Sequence, residues 1–138
     1  EYAAIRTDAQ TARLFYAVGN YLAAEEMAAS SASLCVCDRF WASTVAYSSV
    51  LCDGMEFSDD AFAWPADLPR PDLSVLLDVP LEERARRLRV RKVNVERWEK
   101  LLADPHLSSR VTQSFRRINP PLLVVDASQD ADGVYETV

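Results

Sequence analysis

Three short apolar runs, each closing at or beside an aspartate, constrain this chain more than any other feature. Leu34-Cys35-Val36-Cys37 ends at Asp38, Leu73 to Val79 contains Asp78, and Leu122 to Val125 ends at Asp126. None of the three alternates apolar with polar residues. Continuous runs of this kind fit strands buried on both faces, as in a parallel sheet covered by helices. Helical patterns separate the runs. Thr7 to about Ser30 carries Ala12, Phe15, Tyr16, Gly19, Leu22, Ala23 and Met27 at helical spacing, with Thr7 or Asp8 as its cap. Trp41 to Leu51, Leu81 to at least Arg89, and Leu107 to Ile118 read as further helices, and Gly133 to Val138 as the start of a last one. Cys52 to Pro71, with Gly54, Pro65 and Pro69, reads as a loop with room for one helical turn. The order helix, strand, helix, strand, helix, helix, strand predicts an α/β fold. In such folds ligands sit at the carboxyl ends of the strands, where the aspartates lie.

A chain of 138 residues suits one domain, 1–138, around one core. The net charge of −6 argues against a nucleic-acid polymer as the main partner, because such binding needs a basic surface. A small phosphorylated ligand stays open, since a few placed arginines suffice for one phosphate. No apolar run approaches the ~20 residues that span a bilayer, and no secretory signal is visible at Glu1. The three cysteines, Cys35, Cys37 and Cys52, are odd in number and lack framework spacing, which fits a reducing compartment. Cys35 and Cys37 are expected as inert thiols buried in a strand. No metal site is expected, because the Cys-x-Cys pair has no second ligand pair and the single histidine, His106, stands alone. His106 reads as a structural or surface residue.

Asp38-Arg39 is the most informative pair. An aspartate at a strand end can face a metal or a hydroxyl, and the adjacent guanidinium forks two hydrogen bonds onto a phosphate. The same pair also fits an ordinary strand-to-helix turn, with Asp38 or Ser43 capping and Arg39 in a salt bridge. Arg84, Arg86, Arg87, Arg89, Arg91 and Lys92 put six cations in nine residues. They fit a solvated helix face balanced by Glu82, Glu83 and Glu96, or a lid that closes arginine onto a transferring phosphoryl group. Phe15, Tyr16, Asn20 and Tyr21 fit a helix core face, or a base-stacking surface with a neighbouring amide.

Read together, these segments resemble the thymidylate kinase family. Asp38-Arg39-Phe40 with Ser43 and Ala46-Tyr47 is similar to its signature Asp-Arg-Tyr/Phe-x-x-Ser-x-x-Ala-Tyr. Pro71-Asp72-Leu73 through Leu77-Asp78-Val79-Pro80 resembles the family's next strand, and Val124 to Ser128 its last. The three motifs stand in the family's order and cover most of the chain. Within the family the strongest likeness is to the mitochondrial UMP–CMP kinase subgroup, carried by Phe15 to Tyr21 and by Asn119-Pro120.

The resemblance implies a P-loop NTPase-type parallel sheet flanked by helices in three layers. It implies transfer of the ATP γ-phosphoryl group, with Mg²⁺, to a pyrimidine nucleoside monophosphate: UMP, CMP, dUMP, dCMP or dTMP. It also implies a mitochondrial location and a homodimer. In that picture Arg39 binds the acceptor phosphate and Asp38 sits near metal and phosphates. Ser43 and Tyr47 line the nucleotide pocket, Tyr16 stacks on the base, and Arg91 is the lid arginine, with Arg84 and Arg87 as alternatives. Asn20 stands where thymidylate kinases carry a base-reading arginine, which favours uracil or cytosine over thymine.

One element of the family is missing from these residues. The phosphate loop needs Gly-x-x-x-x-Gly-Lys-Ser/Thr, and Gly19, Gly54 and Gly133 are the chain's glycines, none of them preceding a lysine. The expectation is therefore a piece of a longer kinase whose ATP loop and central strand lie elsewhere. Without that strand the segments of Asp38 and Asp78 lack a neighbour and are not expected to fold alone. The competing reading is a non-catalytic nucleotide-binding or regulatory module that has lost the loop.

Overall fold

The computed structural model describes residues 9–52, 56–90 and 104–137. In chain order these form α1 (Ala9–Ala29), α2 (Trp41–Leu51), a 3-10 turn (Asp59–Phe62), β1 (Val75–Asp78), α3 (Leu81–Val90), α4 (Pro105–Arg116), β2 (Leu123–Asp126) and α5 (Ala131–Tyr135). The α/β class expected from the sequence is present. Helix α4 starts where proline at the first helical position fits: the Asp104 carboxylate accepts from the backbone N–H of His106 and Leu107. His106 is an exposed residue of this first turn. The last helix begins two residues earlier than its glycine suggested, because Asp130 caps it by accepting from Gly133 N.

The sheet has two parallel strands, in register Val75 with Leu123 through Asp78 with Asp126. Bonds from Leu123 N to Ser74 O and from Ala127 N to Asp78 O extend the pairing at both ends. Both strands are more exposed than their unbroken apolar runs predict: Leu73, Leu77, Leu123 and Val124 all face solvent.

The expected strand at Leu34-Cys35-Val36-Cys37 is not formed. No strand edge among the described residues pairs with it, and its side chains are exposed. Leu34 is 78% exposed and Val36 84%. The expectation of buried thiols fails for the same reason, since Cys35 and Cys37 are exposed, whereas Cys52 is buried.

The core lies among the helices. Val45 of α2, Phe62 of the 3-10 turn and Ile118 after α4 are its buried centre, flanked by Trp41, Phe57 and Leu122. The Ser49 hydroxyl meets that of Ser114 at 2.8 Å, and the Tyr47 and Phe115 rings meet edge to face, fixing α2 on α4. The guanidinium of Arg117 lies 3.9 Å from the Phe62 ring centroid and bonds Asp59 at 2.8 Å, closing the core at its rim. Helix α1 packs on α2 through its narrow side. Ala12 and Asn20 are buried, while Leu14, Val18 and Leu22 form an exposed stripe along the opposite side. Phe15 and Leu22, expected on the packed face, are exposed. Among the described residues no helix is long and apolar enough to cross a membrane.

Two substitutions separate the packed core from the unpaired segment. Phe62→Ala removes a side chain with no exposed surface and is expected to cost about 3–5 kcal/mol, read by chemical denaturation. Leu34→Ser is expected to change stability by less than about 0.5 kcal/mol. A loss of several kcal/mol at Leu34 would show that its segment is packed in solution.

Candidate functional site

The groove between α1 and α2 encloses a cavity of about 500 Å³, within the size range of small-molecule sites. Tyr16, Asn20, Asp38, Arg39, Ser43 and Tyr47 all line it. The structure thus brings together the acceptor-site residues singled out from the sequence; the lid alternatives Arg84 and Arg87 do not line the cavity, and Arg91 lies outside the described residues. Two elements supply most of them. Tyr16 and Asn20 are four apart on α1 and share one face; Ser43 and Tyr47 are four apart on α2 and share another.

Arg39 occupies the turn into α2. Its φ is 68°, in the left-handed region where a non-glycine residue is uncommon. The Cys37 thiol donates to the Arg39 carbonyl oxygen at 3.2 Å and steadies that turn. Cys37 is exposed, but partial desolvation by its neighbours pushes its pKa up, and Cys35 and Asp38 beside it push the same way, so the thiol keeps the proton it donates. The turn carries the guanidinium back over the Tyr47 ring, 5.5 Å from its centroid. Among the described residues Arg39 makes no ion pair; the salt bridge that an ordinary turn would give it is not there. Phe40, the residue before α2, makes no side-chain cap. The N–H groups of Ser43 and Thr44 bond the Phe40 carbonyl, and the Arg39 guanidinium is the cation at the α2 end of the cavity.

Deeper in the groove Asn20 is 7% exposed, and its Nδ2 donates to Thr44 Oγ1 at 3.1 Å. Thr44 was not anticipated. Its signal was available, because it lies one turn before Tyr47 and Ser48 on the helix face that carries them. Arg13 lines the cavity as well, one turn before Tyr16, with its guanidinium 5.7 Å from the Phe57 ring centroid.

The arginine-rich helix behaves as a braced face over the residues described. Glu83 accepts from Arg86 and Arg87 at 2.7 Å. Arg87 also donates to the carbonyls of Ser128 and Gln129 at 2.9 and 2.8 Å, and Arg84 bonds Ser108. Arg84 and Arg87 are thereby anchored away from the cavity in this conformation. Asp78 and Asp126 end paired strands, with Asp78 3.9 Å from Arg116. The Ser128 hydroxyl and backbone N–H hold the Asp126 carboxyl below its usual range. Neither lines the cavity. No cluster of three or more candidate metal ligands occurs among the described residues.

The cavity thus has the Arg39 guanidinium at its mouth and the Asn20–Thr44 pair in its wall, at the start of a helix that follows Asp-Arg-Phe. The chain belongs to the thymidylate kinase family: the family model described as thymidylate kinase matches residues 3–138. It is 39% identical over 135 residues to the Homo sapiens protein named UMP-CMP kinase 2, mitochondrial, covering 91% of this chain and 30% of that protein. It is 29% identical over 104 residues to a probable thymidylate kinase of Pyrococcus abyssi, covering 64% of this chain and 49% of that one. It is 30% identical over 105 residues to probable thymidylate kinase 1 of Saccharolobus solfataricus, covering 76% and 52%. The chain thus spans between 30% and 52% of the length of these relatives. No solved structure matches.

The brace on α3 predicts a titration. Hydrogen bonds from Arg86, then Arg87, lower the Glu83 pKa from 4.5 to about 2. A depressed carboxylate stabilises the fold above its unfolded value, so this contribution is complete above pH 4.5 and is lost as pH falls through about 2. NMR titration of the Glu83 carboxyl carbon is expected to give a midpoint of about 2. A midpoint at the ordinary value would mean that neither arginine bond forms in solution.

Proposed function

We propose that the protein carrying this chain is a nucleoside monophosphate kinase and that the α1–α2 cavity is its phosphate-acceptor site. The acceptor is a pyrimidine nucleoside monophosphate: UMP, CMP or a deoxy counterpart. The single observation that carries this reading is Arg39, a cation without an ion-pair partner among the described residues, poised on Tyr47 at the cavity mouth. Family membership and the human relative's name support the same chemistry. The acceptor phosphate lies against the Arg39 guanidinium and the first turn of α2. The base lies between Tyr16 and Asn20, and Ser43 and Tyr47 flank the sugar and phosphate. Asn20 is an amide in place of the cation that reads thymine, which supports uracil and cytosine over thymine.

The transferring phosphoryl group spreads negative charge over its oxygens, so a pre-placed cation stabilises it more than it stabilises the ground state. Arg39 fills that role on the acceptor side, and Asp38 faces the same cavity beside it. Arg91 is proposed as the arginine that approaches from the lid. ATP supplies the phosphoryl group and Mg²⁺ neutralises its oxygens when both are bound. The residues described do not form a site for either: the chain contains no Gly-x-x-x-x-Gly-Lys-Ser/Thr and no described ligand cluster, so no step here is routed through them. The wider three-layer P-loop sheet belongs to this same family-based reading. A mitochondrial location is supported by the human relative's name alone. A homodimer is also proposed, by family resemblance alone.

In the full-length protein Arg39→Ala is expected to lower kcat/KM for UMP and CMP phosphorylation by at least about 10²-fold. The fold should be retained, since Arg39 is exposed. A coupled ATP-consumption assay reads this directly, and near-normal turnover would refute the assignment.

A further inference from the structure

Asn20 puts a buried amide into the cavity wall, and its partner has an unusual property for a specificity site. We propose that Asn20 and Thr44 form a reversible hydrogen-bonding pair that lets this cavity accept cytosine and uracil alike. The inference rests on the acceptor-site reading above and adds the device that sets the range of bases.

The amide of Asn20 is 7% exposed and lines the cavity. Its Nδ2 donates to Thr44 Oγ1 at 3.1 Å. This bond spans two helices and 24 residues of sequence. A primary amide has a donor end and an acceptor end, and a half-turn about its last bond exchanges them. A hydroxyl both donates and accepts. In the orientation observed, Thr44 accepts from Nδ2, and Oδ1 is left to accept from the exocyclic amino group of cytosine. After the half-turn, the Thr44 hydroxyl donates to Oδ1, and Nδ2 donates to the uracil carbonyl at the same ring position. At ring position 4 each state makes the same number of hydrogen bonds, so neither base leaves the buried Asn20 amide or its own position-4 group unpaired, the situation that normally produces strong discrimination. A guanidinium in this place has donors only and would read a carbonyl alone. Thr44 is therefore a positioning residue: it holds the amide without deciding which end faces the base.

A one-way partner would lock the amide. Thr44→Asp presents only acceptors, pins Nδ2 toward itself and leaves Oδ1 for the base. Position 44 lies in the first turns of α2, where negative charge is tolerated. Asn20→Asp reaches the same end independently, because its carboxylate only accepts. Thr44→Val removes the partner without choosing an orientation.

Calorimetric titration of CMP and of UMP into the full-length protein and its variants tests the pair. Wild type is expected to bind the two within about threefold of each other. Thr44→Asp and Asn20→Asp are each expected to favour CMP by about tenfold or more. Thr44→Val should weaken both equally and leave the ratio unchanged. A loss of folding would reduce both affinities together, so the ratio in whichever acidic variant folds decides the matter. A wild-type ratio beyond about tenfold, or an acidic variant with the wild-type ratio, overturns the pair while leaving the acceptor-site reading intact. Wild-type protein that binds neither nucleotide overturns both.

Discussion

The site depends on one backbone conformation. Arg39 holds a φ of 68° between an extended segment and α2, a geometry that costs a side-chain-bearing residue about 1–3 kcal/mol. That cost is borne by the surroundings: the Cys37 thiol on the Arg39 carbonyl and the Tyr47 ring under its guanidinium. An ordinary extended residue here would carry its side chain along the chain direction rather than back over the helix. The turn therefore decides that the cation faces the groove, and the groove is what makes it chemically useful.

Everything beneath the turn serves to keep α2 still. The helix is wedged on α4 through the Ser49–Ser114 bond and the Tyr47–Phe115 ring pair, and its Val45 is sealed by Phe62 and Ile118. Tyr47 belongs to both systems, since one ring packs on Phe115 and carries Arg39. Helix α1 adds less burial and more chemistry. It meets α2 mainly at small and polar residues, with Ala12 and Asn20 as its buried positions. A groove lined by small side chains leaves room between the two helices. Gly19 lines that room, and a methyl group there would meet nothing within 4 Å.

The helices were legible in the sequence because their signals are local. Trp41–Leu51 follows directly from composition and spacing, whereas α4 and α5 each begin two residues before the start read from their apolar patterns, because Asp104 and Asp130 cap them. The site was legible because Asp38-Arg39-Phe40 and Ser43 to Tyr47 are contiguous and Tyr16 and Asn20 share a helix face. What failed was what depends on a distant partner. An apolar run reports the propensity to be a strand, whereas a strand exists only when a second edge pairs with it. Composition alone does not separate the run Leu73 to Val79, which holds a paired strand, from the unpaired run Leu34 to Cys37. Helical spacing likewise identifies the apolar residues of α1 but not which side is covered, so Leu14, Val18 and Leu22 face solvent while Asn20 is buried. Thr44 stayed hidden because its partner is 24 residues away, and Arg87 reads as a free cation until the carbonyls of Ser128 and Gln129 are seen to hold it.

Arg39 is proposed to face a mononucleotide phosphate across the α1–α2 groove. A crystal structure of the full-length protein with CMP tests it most directly. The phosphate oxygens are expected within ion-pair distance of the Arg39 guanidinium, with the pyrimidine edge against Asn20. A phosphate bound elsewhere, with the Arg39 guanidinium still stacked on Tyr47 and the groove empty, would contradict it.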